Sequence, residues 1–217
     1  VLFRSQSRPL PSVLVVLVLL GHDLVAVVDE LGRPVRNAFK LYPWEDMLRD
    51  DFAAHLQPSQ TRFIEPPWKA VLSNKGLLPL LWEVAPGHPN LLPAFFADDV
   101  ADALVAGGRP VPGVAAAFDK VADQFKRGHV VKPIFSREGA GVSIVENGDV
   151  TEASANTDYN DHPRIVQAYA PLPDFDGFKP IVGAWIVGDA CVGMGLREDR
   201  ARITQDLSRF KPHFIAD

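Results

Sequence analysis

Residues 129–142, His-Val-Val-Lys-Pro-Ile-Phe-Ser-Arg-Glu-Gly-Ala-Gly-Val, constrain the fold more than any other stretch, because a strand-like sequence there runs straight into a polar, glycine-containing loop. Val130, Val131, Ile134 and Phe135 have the β-branched and aromatic character of a strand, and Lys132 falls among them where a buried strand does not ordinarily accept a cation. The fold must give that ammonium group a partner or a route to water. Arg137 then opens a loop in which Gly139 and Gly141 let the backbone approach a ligand closely, and successive N–H groups there can form an anion-binding nest. The simplest common anion of that kind is a nucleotide phosphate. A hairpin whose Lys132 snorkels to solvent, with glycines that only serve the turn, accounts for the same spacing. One glycine-rich loop does not separate these readings.

Composition narrows the classes. A chain of 217 residues with 47% hydrophobic and 23% charged content can bury a core in one or two domains and is not disordered as a whole. Its net charge of −5, with no basic run interleaved with aromatics, argues against nucleic acid as a partner. Cys191 is the only cysteine, which precludes an intrachain disulfide or a multi-cysteine zinc site and fits a reducing, cytoplasmic compartment. The six histidines form no i, i+4 ligand pattern and read as turn, cap or core residues. The apolar run Val13–Leu20 is too short to span a membrane and reads as a buried strand.

Along the chain, 25–28 and 35–41 are expected to form a hairpin around a turn containing Gly32. Pro43 then introduces a helix with Trp44, Met47, Leu48 and Phe52 on its apolar face. A short strand at 61–64 is stopped by Pro66-Pro67. Ser73 or Asn74 caps a helix that carries Lys75 in its first turn, where a cation gains most if an anion lies in front. Val114, Phe118, Val121 and Phe125 mark one amphipathic helix. Asn147-Gly148 is a two-residue hairpin turn, 164–170 a strand, and 180–187 with 190–196 a second hairpin that delivers Arg197 to a sheet end.

The segment Lys132-Pro-Ile-Phe-Ser-Arg-Glu-Gly-Ala140 resembles the phosphate-covering loop of the glutathionylspermidine synthase family, in its ATP-grasp synthetase domain. The resemblance continues collinearly in Phe39-Lys-Leu-Tyr-Pro-Trp-Glu45, Glu65-Pro-Pro-Trp-Lys69, Leu72-Ser-Asn-Lys-Gly-Leu-Leu-Pro-Leu-Leu-Trp-Glu83 and Gly87-His-Pro-Asn-Leu-Leu-Pro93. It resumes at Gln167-Ala-Tyr-Ala-Pro-Leu-Pro173, Gly195-Leu-Arg-Glu-Asp199 and Ser208-Arg-Phe210. It covers roughly residues 25–217 and fails over 1–24, where Leu2-Phe-Arg-Ser5 matches a translated sequencing adapter and the start reads as artificial or misread. The implied fold is α+β and ATP-grasp-like, antiparallel sheets with flanking helices, incomplete at the N-terminus.

The resemblance implies an ATP-dependent carboxylate–amine ligase. A carboxylate does not react with an amine in neutral water; phosphorylation to an acyl phosphate makes its carbon electrophilic, and the protein aligns the groups and neutralises phosphoryl charge. It implies catalytic roles for Arg137, over the transferring phosphoryl group, and Arg197, at the developing charge. It implies ATP contacts from Lys75, Lys132, Ser136, Glu138, Gly139, Ala140 and Gly141, with the adenine edge on backbone groups near Gln167, Ala168 and Tyr169. Magnesium is expected to take its ligands from an upstream half of the domain absent here, so the isolated chain is expected to be inactive. Asparagine is expected at position 141, and the glycine found there is expected to loosen the lid. The implied partners are a glutathione-like acid and a polyamine-like amine, with no nucleic acid and no membrane. A nucleotide-binding remnant or regulatory subunit without ligase activity is the alternative.

Overall fold

The computed structural model describes residues 16–20, 24–29, 31–105 and 108–214, and divides the chain into two compact units, 1–73 and 74–217. The expected strand at 13–20 is described from residue 16 onward; residues 13–15 lie outside the described part.

In the first unit, β1 (Val16–Leu20) and β2 (Leu24–Val28) form an antiparallel pair. The expected hairpin between 25–28 and 35–41 forms only its turn and first rung, where the Val35 N–H donates to Val27 O at 2.8 Å. Asp29 accepts the N–H groups of Leu31 and Arg33 and the Arg33 guanidinium, which turns the chain after a single Val28–Pro34 bridge. The next strand, β3 (Asn37–Phe39), pairs instead in parallel with β4 (Arg62–Ile64). The helix expected across 44–52 is two single turns, α1 (Trp44–Met47) and α2 (Ala53–Leu56). Asp50 and Asp51 fall where the first would continue, and carboxylates are unfavourable near a helix C-terminus. Trp44 and Met47 are buried as expected, with the Trp44 ring edge-on to Phe63 and its Nε1–H donating to Glu65 O at 3.0 Å, whereas Leu48 is exposed.

The second unit holds every candidate site residue. Its main sheet has the order β5 (Ala94–Phe96), β9 (Arg164–Ala168), β6 (Gly128–Pro133), β7 (Ser143–Glu146), β8 (Asp149–Ala153), antiparallel throughout. Asn147 and Gly148 turn β7 into β8 with φ of 54° and 90°, the paired positive values that a two-residue hairpin loop requires. Helices α3 (Leu77–Val84), α4 (Ala97–Val100), α5 (Pro112–Asp119) and α6 (Ala122–Arg127) supply the flanking layer. The single helix expected from Val114 to Phe125 is broken at Val121, yet Phe118 and Phe125 still meet, 5.4 Å apart, in a core with Trp82, Phe95, Val100, Val166 and Ala168.

This packing gives the sheet two unlike faces. Directly opposed residues of an antiparallel pair point to the same side, and neighbours along a strand alternate. Val131 opposite Val166 therefore faces the helical core, while Lys132 opposite Ile165 and Val130 opposite Gln167 occupy the other face. A second sheet, β10 (Lys179–Val187), β11 (Ala190–Asp199) and β12 (Arg209–Lys211), is also antiparallel. Among the described residues no helix is long and apolar enough to cross a membrane.

Candidate functional site

Lys132 is the residue around which the site forms. It stands on β6 with Ile165, fully buried, directly across from it. Its ammonium group does not snorkel free: it donates to Gln167 Oε1 at 2.7 Å, and Gln167 is itself buried. Burial, and then the nearby charge of Lys75, push Lys132 down from 10.5 to about 8. The stretch therefore carries a half-buried cation beside a second cation, held by a neutral amide.

Lys75 reaches this place by a different route from the one expected. Asn74 Oδ1 accepts the Gly76 N–H at 2.7 Å, and α3 begins only at Leu77, so Lys75 lies in the turn ahead of the helix. Its N–H donates to Ile134 O at 3.0 Å, which anchors the turn at the end of β6. Its ammonium group donates to Ser136 O at 2.7 Å and to Ser136 Oγ at 2.8 Å. Lys75, Lys132, Ser136 and Gln167 are thus brought together.

The glycine loop is built for its own packing. Glu138, Gly139 and Gly141 have φ of 54°, 74° and 67°. A Cβ on Gly139 would stand 2.4 Å from Thr204 O, and one on Gly141 would stand 2.7 Å from Pro133 Cγ. Glycine at 141 is thus the residue that fits the loop against Pro133. The Ala140 N–H donates to Arg137 O, the Gly141 N–H to Asn156 O and the Val142 N–H to Gly139 O. These three amides are engaged within the chain. Arg137 and Glu138 are exposed at the loop's edge. Farther along β9, the Ala168 N–H donates to Pro93 O and the Tyr169 N–H to Gly128 O, so both belong to the sheet's own ladder. Arg197 lies on the second sheet, opposite Ile181 and Phe210, 5.8 Å from the Phe210 ring. No hydrogen bond or ion pair among the described residues joins it to Lys132.

One cluster went unremarked in the sequence. Arg202 donates through Nε to Glu152 Oε2 at 2.8 Å, through Nη1 to Glu146 Oε2 at 2.6 Å and through Nη2 to Thr151 Oγ1 at 2.9 Å. Its guanidinium also lies 5.7 Å from the Tyr169 ring. Glu152 Oε1 accepts the N–H groups of Arg202 and Ile203. This clamp fixes 202–204 on the β7–β8 hairpin, against the same Gly139 whose missing side chain makes room for Thr204. The hydrogen bonds from Arg202 and Thr151 hold Glu146 below the usual carboxylate range. At Glu152, burial works upward but is outweighed by the bonds from Arg202 and Ile203. The contacts are about 50 residues apart in sequence, so only the hairpin turn gave a local signal of them.

Three further carboxylates are engaged by neighbouring groups. Asp174 holds Lys179 and the Gly177 N–H, Glu198 holds Arg209 and Lys211, and Asp199 accepts Ser208 Oγ–H and the Ala201 N–H. Among the described residues no three His, Cys, Asp or Glu side chains gather into a metal-binding group.

Comparison with known proteins bears on what this cation pair serves. The family model described as glutathionylspermidine synthase preATP-grasp matches residues 17–216. The chain belongs to that family. The description corrects the expectation that the matched module is the ATP-grasp domain itself. A putative acid–amine ligase of Haemophilus influenzae is 40% identical over 193 residues, which cover 87% of this chain and 44% of the relative. The trypanothione synthetase of Crithidia fasciculata is 29% identical, over 82% of this chain and 27% of the relative. The bifunctional glutathionylspermidine synthetase/amidase of Escherichia coli K12 is 28% identical, over 90% of this chain and 32% of the relative. The chain thus spans less than half the length of each of these three relatives.

Proposed function

We propose that this chain supplies the phosphate-neutralising part of an ATP-dependent carboxylate–amine ligase, which forms an amide through an acyl phosphate. The observation that carries the proposal is Lys132: a half-buried cation on the face of the sheet opposite the aromatic core, next to Lys75 and held by the uncharged Gln167. A fold gains no stability from such an arrangement, since burying a cation beside another costs free energy. An anion between the two ammonium groups reverses the sign of both terms, as charge-assisted bonds in a dry site are stronger than in water. We take a nucleoside triphosphate as that anion, a choice supported by the family membership and by the ligase and synthetase names of the relatives.

In this reading Lys75 and Lys132 contact the α- and β-phosphates, and Ser136 orients Lys75. Glu138, Gly139, Ala140 and Gly141 form the covering loop, from which Arg137 reaches the transferring phosphoryl group. Arg197 stabilises the developing charge, and the purine rests near Gln167, Ala168 and Tyr169. Because the Ala168 and Tyr169 amides and three loop amides are already engaged, binding must draw on carbonyls and side chains there or on a shift of the loop. A glutathione-like acid and a polyamine-like amine are the substrates we assign to the whole ligase, in the cytoplasm, and we place no magnesium ligand on this chain. The chain alone binds nucleotide weakly and does not turn it over.

The test is thermal unfolding of the purified chain with and without MgATP, beside Lys132→Ala. A rise in melting temperature that the variant loses supports the assignment, since a ligand of the native state must stabilise it. An equal response in both proteins refutes it, and amide formation by the chain alone refutes the stated incompleteness.

A further inference from the structure

We infer that Gln167 is a positioning residue: its side-chain carbonyl holds the Lys132 ammonium group in place without neutralising it, so that the cation keeps its charge for an incoming anion. The inference rests on the phosphate-site reading above and assigns the Gln167 side chain a role separate from any backbone contact with a purine.

Three observations carry it. The first is register: Gln167 lies opposite Val130, two residues from Lys132 on the same face, so the two side chains are diagonal neighbours across the β6–β9 pair. The second is geometry: Oε1 stands 2.7 Å from Nζ, a short bond of the charge-assisted kind. The third is the surroundings. Ile165 faces Lys132 from β9, and Lys75 is the charged group whose field reaches it. Arg164 at the end of β9 donates to Asn160, His129 on the opposite face of β6 bonds to Phe125 O, and Glu146 and Glu152 on β7 and β8 are held by Arg202. Among the described residues no carboxylate forms an ion pair with Lys132.

The residue type follows from what this place requires. A glutamate at 167 would hold Lys132 more tightly but cancel its charge and repel a phosphate. A methionine would fill the space and give the ammonium group no acceptor. Glutamine combines an acceptor of sufficient reach with no net charge.

The decisive experiment follows the Lys132 ammonium group by NMR of lysine-labelled full chain across pH, for the unsubstituted protein, Gln167→Glu and Gln167→Met, with MgATP affinity measured on each. Gln167→Glu is expected to raise the proton affinity of Lys132 at least tenfold and to weaken MgATP at least tenfold. Gln167→Met is expected to lower the proton affinity and move the alkaline loss of MgATP binding to lower pH. Asn90→Gln, at an exposed loop site, serves as the control and should move neither. A Lys132 titration identical in all three proteins overturns the inference even if melting temperatures differ, because a merely structural glutamine would change stability and leave that titration in place. If MgATP fails to bind the unsubstituted chain while the titration still depends on residue 167, the functional reading falls and the positioning of Lys132 stands.

Discussion

Lys132→Met should make the ligand-free protein more stable at neutral pH while removing its response to nucleotide. Lys132 binds a proton in the folded chain with an affinity corresponding to about 8, against 10.5 when unfolded. At about 1.4 kcal/mol per tenfold change in affinity, that difference costs the fold about 3 kcal/mol at pH 7. Methionine removes this cost, keeps most of the side-chain volume and leaves Gln167 Oε1 without its donor, which returns about 1 kcal/mol. The net expected gain is about 2 kcal/mol. Its pH dependence is the sharper signature. Between about 8 and 10.5 the unfolded chain binds this proton and the folded chain does not, so stability of the unsubstituted protein rises with pH through that window. The variant lacks the rise, and the other titrating groups cancel in the comparison. Urea unfolding of both proteins at pH 7 and above pH 10 measures the difference at each end. A variant less stable than its parent at pH 7, or a difference that does not change with pH, would refute the placement of Lys132 as a desolvated cation and with it the basis for a phosphate site.

The loop and its clamp give three further predictions. Gly139→Ala should destabilise the protein by about 2–4 kcal/mol in the same urea assay, because a side chain at positive φ adds to a contact with the Thr204 carbonyl that backbone cannot relieve. Arg202→Ala should accelerate amide exchange at 137–142 and 202–204 while the β6–β9 ladder keeps its protection; uniform acceleration would mean global destabilisation instead. The Glu146 and Glu152 contacts, whose folded values lie below the ordinary 4.5, are fully present above that value and lost as pH falls through the lowered ones, so the same exchange signature should appear in acid in the unsubstituted protein.

Local pattern made much of this protein legible. Asn147-Gly148 specified its hairpin because few other dipeptides tolerate two positive φ values, and Phe118 and Phe125 announced their core by spacing even though the helix between them breaks. The strand carrying Lys132 was visible because β-branched residues flank it. The pairing of β3 was not, since its parallel partner at 62–64 lies across an intervening helical segment that no local pattern reports. Ser73-Asn74 resembles a cap and so predicts a helix that includes Lys75, whereas the Asn74 side chain turns the chain one step earlier.

The sequence by itself determined that a lysine would interrupt an apolar strand and that glycines would follow it. Whether that lysine escapes to water, and what the glycines admit, depended on atoms far away in the chain. Gln167 arrives across an antiparallel register to hold the ammonium group, Lys75 arrives from a turn anchored on Ile134, and Thr204 arrives on an arginine clamp to occupy the space that Gly139 leaves. Strand periodicity fixes which side a residue faces, but the burial and the neighbours it meets there are set by register and long-range packing, and these decide the charge state of such a group.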